Sequence, residues 1–249
     1  MSGIALVRKP GPRLAEGIVT HLSRSPVDAG LALAQHAAYT AALREAGWRP
    51  VEVEPADDLP DAPFVEDTVV VCGPLAVLTH PGAPERRPEV ASVAAAVRRC
   101  GLDTVAIEPP ATLDGGDVLQ VGDTVYVGRS GRTNDAGIAA LAAFLPGRTV
   151  VPVELRGVLH LKSAVTALPD GTLIGDRNCV DLPVLEPVEE AGAHVVPLGG
   201  DRVLMAASAP GTAAMLRERG LTPVLVDISE FEKLEGCVTC LSVLIPEKG

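Results

Sequence analysis

The architecture of this chain is indicated first by the stretch Val65-Glu66-Asp67-Thr68-Val69-Val70-Val71, in which two carboxylates open an apolar, β-branched run. Short runs of this kind, bounded by turn residues, predict strands. If such units repeat, polar groups at their matched positions would converge on one axis. Three later stretches have the same form: Leu113-Asp114-Gly115-Gly116-Asp117-Val118-Leu119, Leu159-His160-Leu161-Lys162-Ser163 and Thr239-Cys240-Leu241-Ser242-Val243-Leu244-Ile245.

Helix candidates alternate with these hairpins, and each ends at a glycine that is followed by a β-branched strand. Helical periodicity with a glycine just past the last periodic residue indicates the end of a helix. The candidates are residues 27–46, 88–100, 134–146, 182–191 and 210–219. The hairpin turns are predicted at Gly73-Pro74, Gly122-Asp123 and Pro169-Asp170-Gly171.

The recurrence of this ββαβ unit predicts an α/β fold, specifically a five-bladed α/β propeller of ββαβ repeats with pseudo-fivefold symmetry. An ordinary doubly wound sheet would alternate single strands with helices and would not insert hairpins. The N-terminal strand, residues 4–8, is predicted to complete the last blade, since closure removes exposed edges. No Gly/Ser linker or low-complexity tract divides the sequence, so residues 1–249 are predicted to form a single domain.

The composition limits the partners of the chain. Its 249 residues carry a net charge of −11 and are 47% hydrophobic but only 2% aromatic, which argues against nucleic-acid binding. No apolar run reaches the roughly 18–20 residues of a membrane span, and the N-terminal basic residues follow the apolar stretch, unlike those of a signal peptide. Five scattered cysteines are typical of reduced thiols. We therefore expect a cytoplasmic protein with no membrane partner.

Cys240 is the candidate nucleophile, because a thiolate is intrinsically strong and needs only a lowered pKa. A free cysteine is more often a buried structural residue. Cys237-Val238-Thr239-Cys240 is also a Cys-x-x-Cys sequence, compatible with a redox pair or with half of a zinc site. No second Cys-x-x-Cys and no paired histidine motif accompanies it, so no metal is expected. A redox motif of the thioredoxin type would begin a helix, whereas this one opens a strand.

His160 stands between two leucines, where a histidine is more often a satisfied core residue than a catalyst. Its position at the head of a hairpin matches that of Cys240 and favours a proton carrier. Asp114, at the equivalent position of another unit, is suited to orient the histidine or to bind a guanidinium. The alternative for Asp114-Gly115-Gly116-Asp117 is an ordinary turn.

A second group of carboxylates and the arginines are candidates for binding the two ends of a substrate. The carboxylates that precede the apolar strand at 69–71 are Asp61, Glu66 and Asp67. Carboxylates are rarely buried unless paired, so this group requires a cation, for which a planar guanidinium is the bidentate match. Arg86-Arg87 and Arg132 are suited to hold a carboxylate. The alternative interpretation of Arg86-Arg87 is a solvated helix start.

Six motifs occur in a fixed order: Asp61-x-x-Phe64-Val65-Glu66-Asp67, Pro81-Gly82-Ala83-x-x-Arg86-Arg87, Leu113-Asp114-Gly115-Gly116-Asp117, Arg132-Thr133-Asn134, Leu159-His160-Leu161-Lys162 and Cys240-x-Ser242. Together they resemble the dimethylarginine dimethylaminohydrolase family of the guanidine-modifying (pentein) superfamily, over essentially the whole chain. The resemblance implies a five-bladed α/β propeller. It also implies hydrolysis of N(omega)-methylated arginines to citrulline and dimethylamine or methylamine, through a covalent cysteine thiouronium intermediate.

The resemblance further implies a catalytic triad and a binding pocket. Cys240 would be the nucleophile, His160 the general acid/base and Asp114 the triad carboxylate, which would bind the guanidinium together with Asp67. The other implied pocket residues are Asp61 and Glu66 as its frame, Arg86 and Arg132 at the amino-acid end, Ile18 at a mobile lid and Leu234 at the wall. No cofactor or metal is implied. The partner would be a small cationic amino acid, and a homodimer is compatible with the sequence.

Two other function classes stay open. An arginine or agmatine deiminase of the same superfamily would use the same triad with a different leaving group. A non-catalytic arginine-binding or Cys-x-x-Cys redox module would bind its ligand or exchange thiols without forming a ureido product. No motif encodes the preference among dimethyl-, monomethyl- and unmethylated arginine, because that preference depends on pocket volume near the leaving nitrogen.

Overall fold

Five small sheets and five helices lie between residues 3 and 247, the part of the chain that this computed structural model describes. The strands are β1 Gly3–Val7, β2 Trp48–Glu52, β3 Val69–Cys72, β4 Leu75–Leu78, β5 Asp103–Ala106, β6 Val118–Val121, β7 Thr124–Arg129, β8 Thr149–Glu154, β9 Val165–Ala167, β10 Leu173–Gly175, β11 Val195–Gly199, β12 Arg202–Ala206, β13 Thr222–Val226 and β14 Val243–Pro246. The helices are α1 Ala29–Glu45, α2 Glu89–Arg99, α3 Asp135–Phe144, α4 Pro210–Glu218 and α5 Ser229–Glu232. Short 3-10 turns lie at Leu14–Glu16, Val65–Thr68, Pro84–Arg86, Gly115–Asp117, Leu161–Ser163 and Glu190–Ala193.

Four of the sheets share one topology. In each, the first two strands are antiparallel and the third runs parallel to the second. The strand orders are β14-β1-β2, β3-β4-β5, β6-β7-β8 and β11-β12-β13. A long helix connects the second strand of each sheet to the third, as a parallel pair requires a crossover. Each of these sheets with its helix is therefore a ββαβ unit.

The first sheet joins strands from opposite ends of the described chain. β1 pairs with β14 in antiparallel register, with Ile4 opposite Ile245 and Leu6 opposite Val243. On its other side β1 runs parallel to β2. The N-terminal strand thus completes the sheet that begins after Cys240, as the sequence predicted.

The remaining sheet has no helix of its own. β9 and β10 form an antiparallel pair, and a single parallel bridge joins Ile174 to Leu185 where a third strand would lie. The helix predicted at 182–191 is therefore wrong. Pro183 and Pro187 account for the difference, because proline donates no backbone N–H and restricts the residue before it.

Four of the hairpins are entered through a 3-10 turn, and three of these turns position the polar groups. Asp114 and His160 each immediately precede such a turn, and both have extended backbone dihedrals. Glu66 and Asp67 lie within the turn that leads into β3. In these three units the 3-10 turn therefore positions both the polar residue and the strand that follows it.

The first strand of every sheet lines one central cavity of about 290 Å³. Residues of β3, β6, β9, β11 and β14 that face it include Val69, Val118, Thr166, Val195 and Val243. Away from this cavity, buried aliphatic side chains pack the sheets against their helices, as Val93 and Val97 of α2 do against Leu78. Among the helices between residues 3 and 247, none combines the length and apolar character that crossing a membrane would need.

Candidate active site

Side chains that are far apart in the sequence meet at a second, small cavity of about 20 Å³. Asp114 lies directly behind its histidine, and Glu66 lines the central cavity instead. The other eight predicted site residues line the small cavity: Ile18, Asp61, Asp67, Arg86, Arg132, His160, Leu234 and Cys240. Phe64, Leu159, Glu235 and Gly236 complete its wall.

His160 is held against Asp114 at this cavity. Its Nε2 lies 3.0 Å from Asp114 Oδ2, and both side chains are buried. The other oxygen of Asp114 accepts the backbone N–H of Gly82 at 3.0 Å. A Cβ on Gly116 would stand 2.7 Å from His160 Nδ1, so only glycine lets the turn approach the ring this closely. These contacts fix the orientation of the imidazole.

The charge state of His160 follows from three carboxylates. Burial lowers the pKa of His160, but Asp67, Asp114 and Asp117 outweigh it and raise that pKa to about 9. Asp67 Oδ1 lies 3.8 Å from Nδ1 of the same ring. The imidazole is therefore charged at neutral pH and able to donate a proton.

Asp67 and Arg86 form a buried ion pair beside the histidine. Asp67 Oδ1 also accepts the N–H of Gly116 at 2.9 Å. Burial raises the pKa of Asp67, yet His160 and Arg86 outweigh it and lower that pKa to about 2, so this carboxylate is ionised. Arg86 in turn donates to Glu89 at 2.7 Å, and its guanidinium is largely committed to protein acceptors.

Arg132 is the more accessible of the two arginines. Its side chain is 13% exposed, against 6% for Arg86, and its Nη1 lies 3.8 Å from Asp114 Oδ2. A Cβ on Gly82 would overlap the backbone of Arg132, so glycine lets the two loops pack together. Arg132 thus presents at the cavity the planar fork that binds a carboxylate bidentately.

Cys240 lines the same cavity and is in contact with a second thiol. Its Sγ lies 3.4 Å from Cys237 Sγ and 3.4 Å from the backbone nitrogen of Cys237. The hydrogen bond with Cys237 raises the pKa of Cys240, and burial, Glu66 and Asp67 act in the same direction. These neighbours therefore favour the protonated form of the thiol.

Glu66 is held by two side chains, Lys162 and Thr239, to which the sequence analysis gave no role. Lys162 Nζ donates to one oxygen of Glu66 at 2.6 Å, and Thr239 Oγ1 donates to the other at 2.8 Å. Burial raises the pKa of Glu66 to about 7, although Lys162 lowers it. Lys162 lies two residues after His160 in the motif Leu159-His160-Leu161-Lys162. This position was the sequence signal that could have indicated a role for Lys162 at the site.

Glu89 is a further residue that sequence reasoning missed. It is buried and pairs with Arg86, three residues before it. A spacing of three places two side chains on one face of a helix or tight turn, and an acid and a base at that spacing predict a pair. The pairing shows that Arg86 is anchored from behind while it contacts Asp67.

Ile18 belongs to a loop that two carboxylates tie down. Asp61 accepts the N–H of Ile18 at 3.0 and 3.2 Å. Glu235 Oε1 accepts three consecutive backbone N–H groups from residues 20–22, the first at 2.9 Å and the last at 2.7 Å. The cavity of about 20 Å³ has room for about one water molecule, and Ile18 and Glu235 form part of its wall.

Asp67, Asp114 and His160 also have the spacing of a metal site, with ligand atoms within 4.8 Å of one another. Their lone pairs are already engaged: the imidazole contacts Asp114, and Asp67 holds the Arg86 guanidinium and the Gly116 N–H. A metal ion would have to compete with this guanidinium for Asp67.

Comparison with known proteins identifies relatives of the whole chain. No family model matches the chain. The chain is 61% identical to the N(G),N(G)-dimethylarginine dimethylaminohydrolase of Streptomyces coelicolor, over 98% of this chain and 97% of that protein. A crystal structure of a dimethylarginine dimethylaminohydrolase adduct with S-methyl-L-thiocitrulline matches with a TM-score of 0.91 at 31% identity, covering 98% of this chain and 100% of that one. A mutant of the Pseudomonas aeruginosa enzyme complexed with citrulline matches with a TM-score of 0.90, at the same identity and coverage. These matches confirm the predicted α/β fold.

Proposed function

Because this chain belongs to the dimethylarginine dimethylaminohydrolase family, we propose that it hydrolyses N(omega)-methylated arginines to citrulline and dimethylamine or methylamine. The observation that carries the proposal is the convergence of Cys240, His160 and Asp67 on one cavity, with Asp114 behind the histidine. A thiol, a protonated imidazole and buried carboxylates are the groups that attack on a guanidinium requires. Two of the matched crystal structures hold citrulline or a thiocitrulline adduct.

The substrate guanidinium binds against Asp67, which lines the small cavity, and Asp114 adds its negative charge from behind His160. Both carboxylates are buried, and a cation offsets their charge. The negative charges of Glu66 and Asp67 help to raise the pKa of Cys240, and the incoming cation offsets them, so that pKa falls on binding. The thiol proton passes to solvent, since His160 is already protonated, and the substrate thereby generates the thiolate that attacks it.

The reaction proceeds in two halves. In the first, the Cys240 thiolate attacks the guanidinium carbon, and His160 donates a proton to the departing methylated amine as its C–N bond breaks. The product of this half is a covalent S-alkylthiouronium. In the second, the neutral imidazole takes a proton from water, the water oxygen attacks the same carbon, and the thiolate leaves with release of citrulline. Asp114 orients the imidazole through both halves.

The amino-acid end of the substrate is held on the other side of the cavity. Arg132 binds the α-carboxylate, and Arg86 supports it while keeping Asp67 in place through their ion pair. The remaining pocket residues are Asp61 and Glu66 as its frame, Ile18 at the loop that closes it, and Leu234 at its wall.

The five sheets act as the blades of a propeller with pseudo-fivefold symmetry. The first strand of every sheet lines the central cavity, which supports a radial arrangement. Contacts of β14 with β3, of β6 with β9 and of β9 with β11 join neighbouring blades. Since the blades share one cavity, the described residues 3–247 act as a single domain, and residues 1, 2, 248 and 249 of the predicted range 1–249 lie outside the described part.

The enzyme works in the cytoplasm. Its five cysteines are free thiols, and free thiols persist in a reducing compartment. Its partner is a small cationic amino acid, and a homodimer stays a prediction.

A citrulline assay on the purified protein tests the proposal. Asymmetric dimethylarginine, arginine and agmatine are offered in parallel, with Cys240→Ser as the inactive variant and Cys179→Ser as the matched cysteine control. We expect citrulline from dimethylarginine, little product from arginine, and none from Cys240→Ser. A ureido product mainly from arginine or agmatine would make the enzyme a deiminase. Binding or thiol exchange without any such product would indicate the non-catalytic module, and near-normal turnover by Cys240→Ser would remove the nucleophile assignment.

A further inference from the structure

The nucleophilic thiol has a second thiol as its neighbour, and the proposed hydrolysis makes no use of it. The Sγ atoms of Cys237 and Cys240 are 3.4 Å apart. Cys237 is buried, and its sulfur also contacts Thr239 Oγ1 at 3.3 Å. If Cys237 served only in packing, a side chain without a thiol would fill its place equally well.

The backbone brings the two sulfurs together through a tight turn. The N–H of Cys240 donates to the carbonyl oxygen of Cys237 at 3.1 Å, which is the hydrogen bond of a β-turn. Such a turn places its first and fourth Cα atoms less than about 7 Å apart, within the range that a disulfide spans. To reach a bond of about 2.05 Å, the two sulfurs have to approach by about 1.4 Å from the observed contact. Rotation of side chains in a turn provides a movement of this size.

The pair also lies between two cavities. Cys240 lines the small cavity beside His160, whereas Cys237 lines a separate cavity of about 540 Å³, together with His194 and Glu235. A small oxidant in the larger cavity therefore reaches Cys237 without passing through the substrate pocket. Contact with Cys240, together with His194 and Thr239, lowers the pKa of Cys237, which favours the reactive thiolate form.

We propose that Cys237 and Cys240 form an intramolecular disulfide when a hydroperoxide reaches the site, and that this disulfide reversibly switches off the enzyme. The thiolate of Cys237 attacks the peroxide oxygen, the O–O bond breaks, and a sulfenic acid and an alcohol or water are formed. The Cys240 sulfur then attacks the sulfenic sulfur, and the oxygen leaves as water with the remaining thiol proton. The hydroperoxide takes up the two electrons that the thiols lose. A dithiol reductant restores both thiols by exchange.

The loss of activity in this proposal rests on the proposed function, because Cys240 is the nucleophile there. Formation of the disulfide itself does not depend on the proposed function. The sequence makes the bond directly observable, since trypsin releases residues 234–248 as one peptide that contains both cysteines and none of the other three.

The test treats the full-length protein with hydrogen peroxide and follows citrulline formation and the mass of peptide 234–248 in the same samples. We expect the peptide to lose about 2 Da, the two hydrogens of the thiols, in parallel with the activity, and dithiothreitol to restore both. Cys237→Ala and Cys237→Ser remove the partner thiol, so their peptide should gain oxygen instead, and dithiothreitol should recover a smaller fraction of each variant's own starting activity. Cys179→Ser, which lines neither cavity, should behave like the wild type.

Three outcomes would overturn the proposal: a wild-type peptide that gains oxygen without ever losing two hydrogens, a disulfide that leaves turnover intact, or equal recovery in the wild type and both Cys237 variants. A protein that makes no citrulline before oxidation would instead contradict the proposed function, while the peptide mass would still report on the disulfide.

Discussion

Replacing Asp114 by Asn isolates the contribution of one hydrogen bond to proton transfer. The substitution keeps the shape of the side chain but removes the charge that faces His160 Nε2 at 3.0 Å. A hydrogen bond to a charged group contributes about 1.5–3 kcal/mol. With about 1.36 kcal/mol for each factor of ten, its loss corresponds to a fall of roughly 10- to 150-fold in kcat/KM.

The pH profile gives a second readout of the same variant. Asp114 is one of the three carboxylates that raise the pKa of His160 to about 9, so its neutralisation lowers that pKa. In the proposed mechanism His160 must be protonated to release the amine, and it loses its proton at lower pH in the variant. The alkaline limb of kcat/KM for dimethylarginine, followed by citrulline formation, should therefore move to lower pH.

Asp117→Asn is the matched control. Asp117 is also buried and also raises the pKa of His160, but its oxygens accept from the N–H of Leu161 at 2.9 Å and from Ser130 Oγ at 2.6 Å, not from the ring. We expect the alkaline limb to shift in both variants and the larger fall in kcat/KM to occur in Asp114→Asn. An Asp114→Asn enzyme with a kcat/KM close to that of the wild type, or a larger loss in Asp117→Asn, would refute the assignment of Asp114.

Three further predictions concern the substrate's amino-acid end, the loop and the buried acid. Arg132→Gln should raise KM for dimethylarginine more than it lowers kcat. Arg132→Lys should have an intermediate effect, because lysine keeps the charge but not the planar guanidinium. An unchanged KM in both variants would exclude contact between Arg132 and the substrate's α-carboxylate. Glu235→Gln weakens the acceptor that holds the N–H groups of residues 20–22, so their amide hydrogens should exchange faster, and equal exchange rates would contradict this function of the carboxylate. Glu66 has its pKa raised from 4.5 to about 7 in the folded state, so the unfolding free energy of the wild type should fall between pH 4.5 and 7 by up to about 3 kcal/mol relative to Glu66→Gln. Urea unfolding at both ends of this range measures the difference, and a difference that does not vary with pH would argue against a buried acid of raised pKa.

Helix ends show how far local chemistry predicts this fold. Four of the predicted helices end before a glycine with a left-handed backbone, at Gly47, Gly101, Gly147 and Gly220, whose φ values lie between 80° and 93°. This conformation ends a helix and is open to glycine at no steric cost. Gly192, at the end of the wrong helix, does not have a left-handed φ; a Cβ there would collide with Thr212. Sequence alone cannot distinguish a glycine that ends a helix from one that makes room for a neighbour.

The arrangement of the candidate site was also only partly predictable from the sequence. Matching positions in the hairpins were enough to predict that His160, Asp114 and Asp67 would come together, because the repeated unit determines where each unit's head lies. The ion-pair partner of each charged side chain was not predictable from the sequence. A long side chain such as that of Arg86 can reach several acceptors, and these come close to it only in the folded chain. It contacts both Asp67 and Glu89, which leaves Arg132 as the more accessible cation.

Since the proposed mechanism needs Cys240, which closely precedes β14, the pairing of β1 with β14 implies that activity arises late in translation. At about 5–20 residues per second, the ribosome needs on the order of tens of seconds to reach β14 after it has made β1. During that interval one edge of β1 has no partner, and an open edge invites pairing with other chains. Cys240 is synthesised only just before the strand that covers this edge, so a nascent chain becomes reactive and protected from misassembly at nearly the same moment. A product shortened before residue 240 would lack the thiol and the closing strand together.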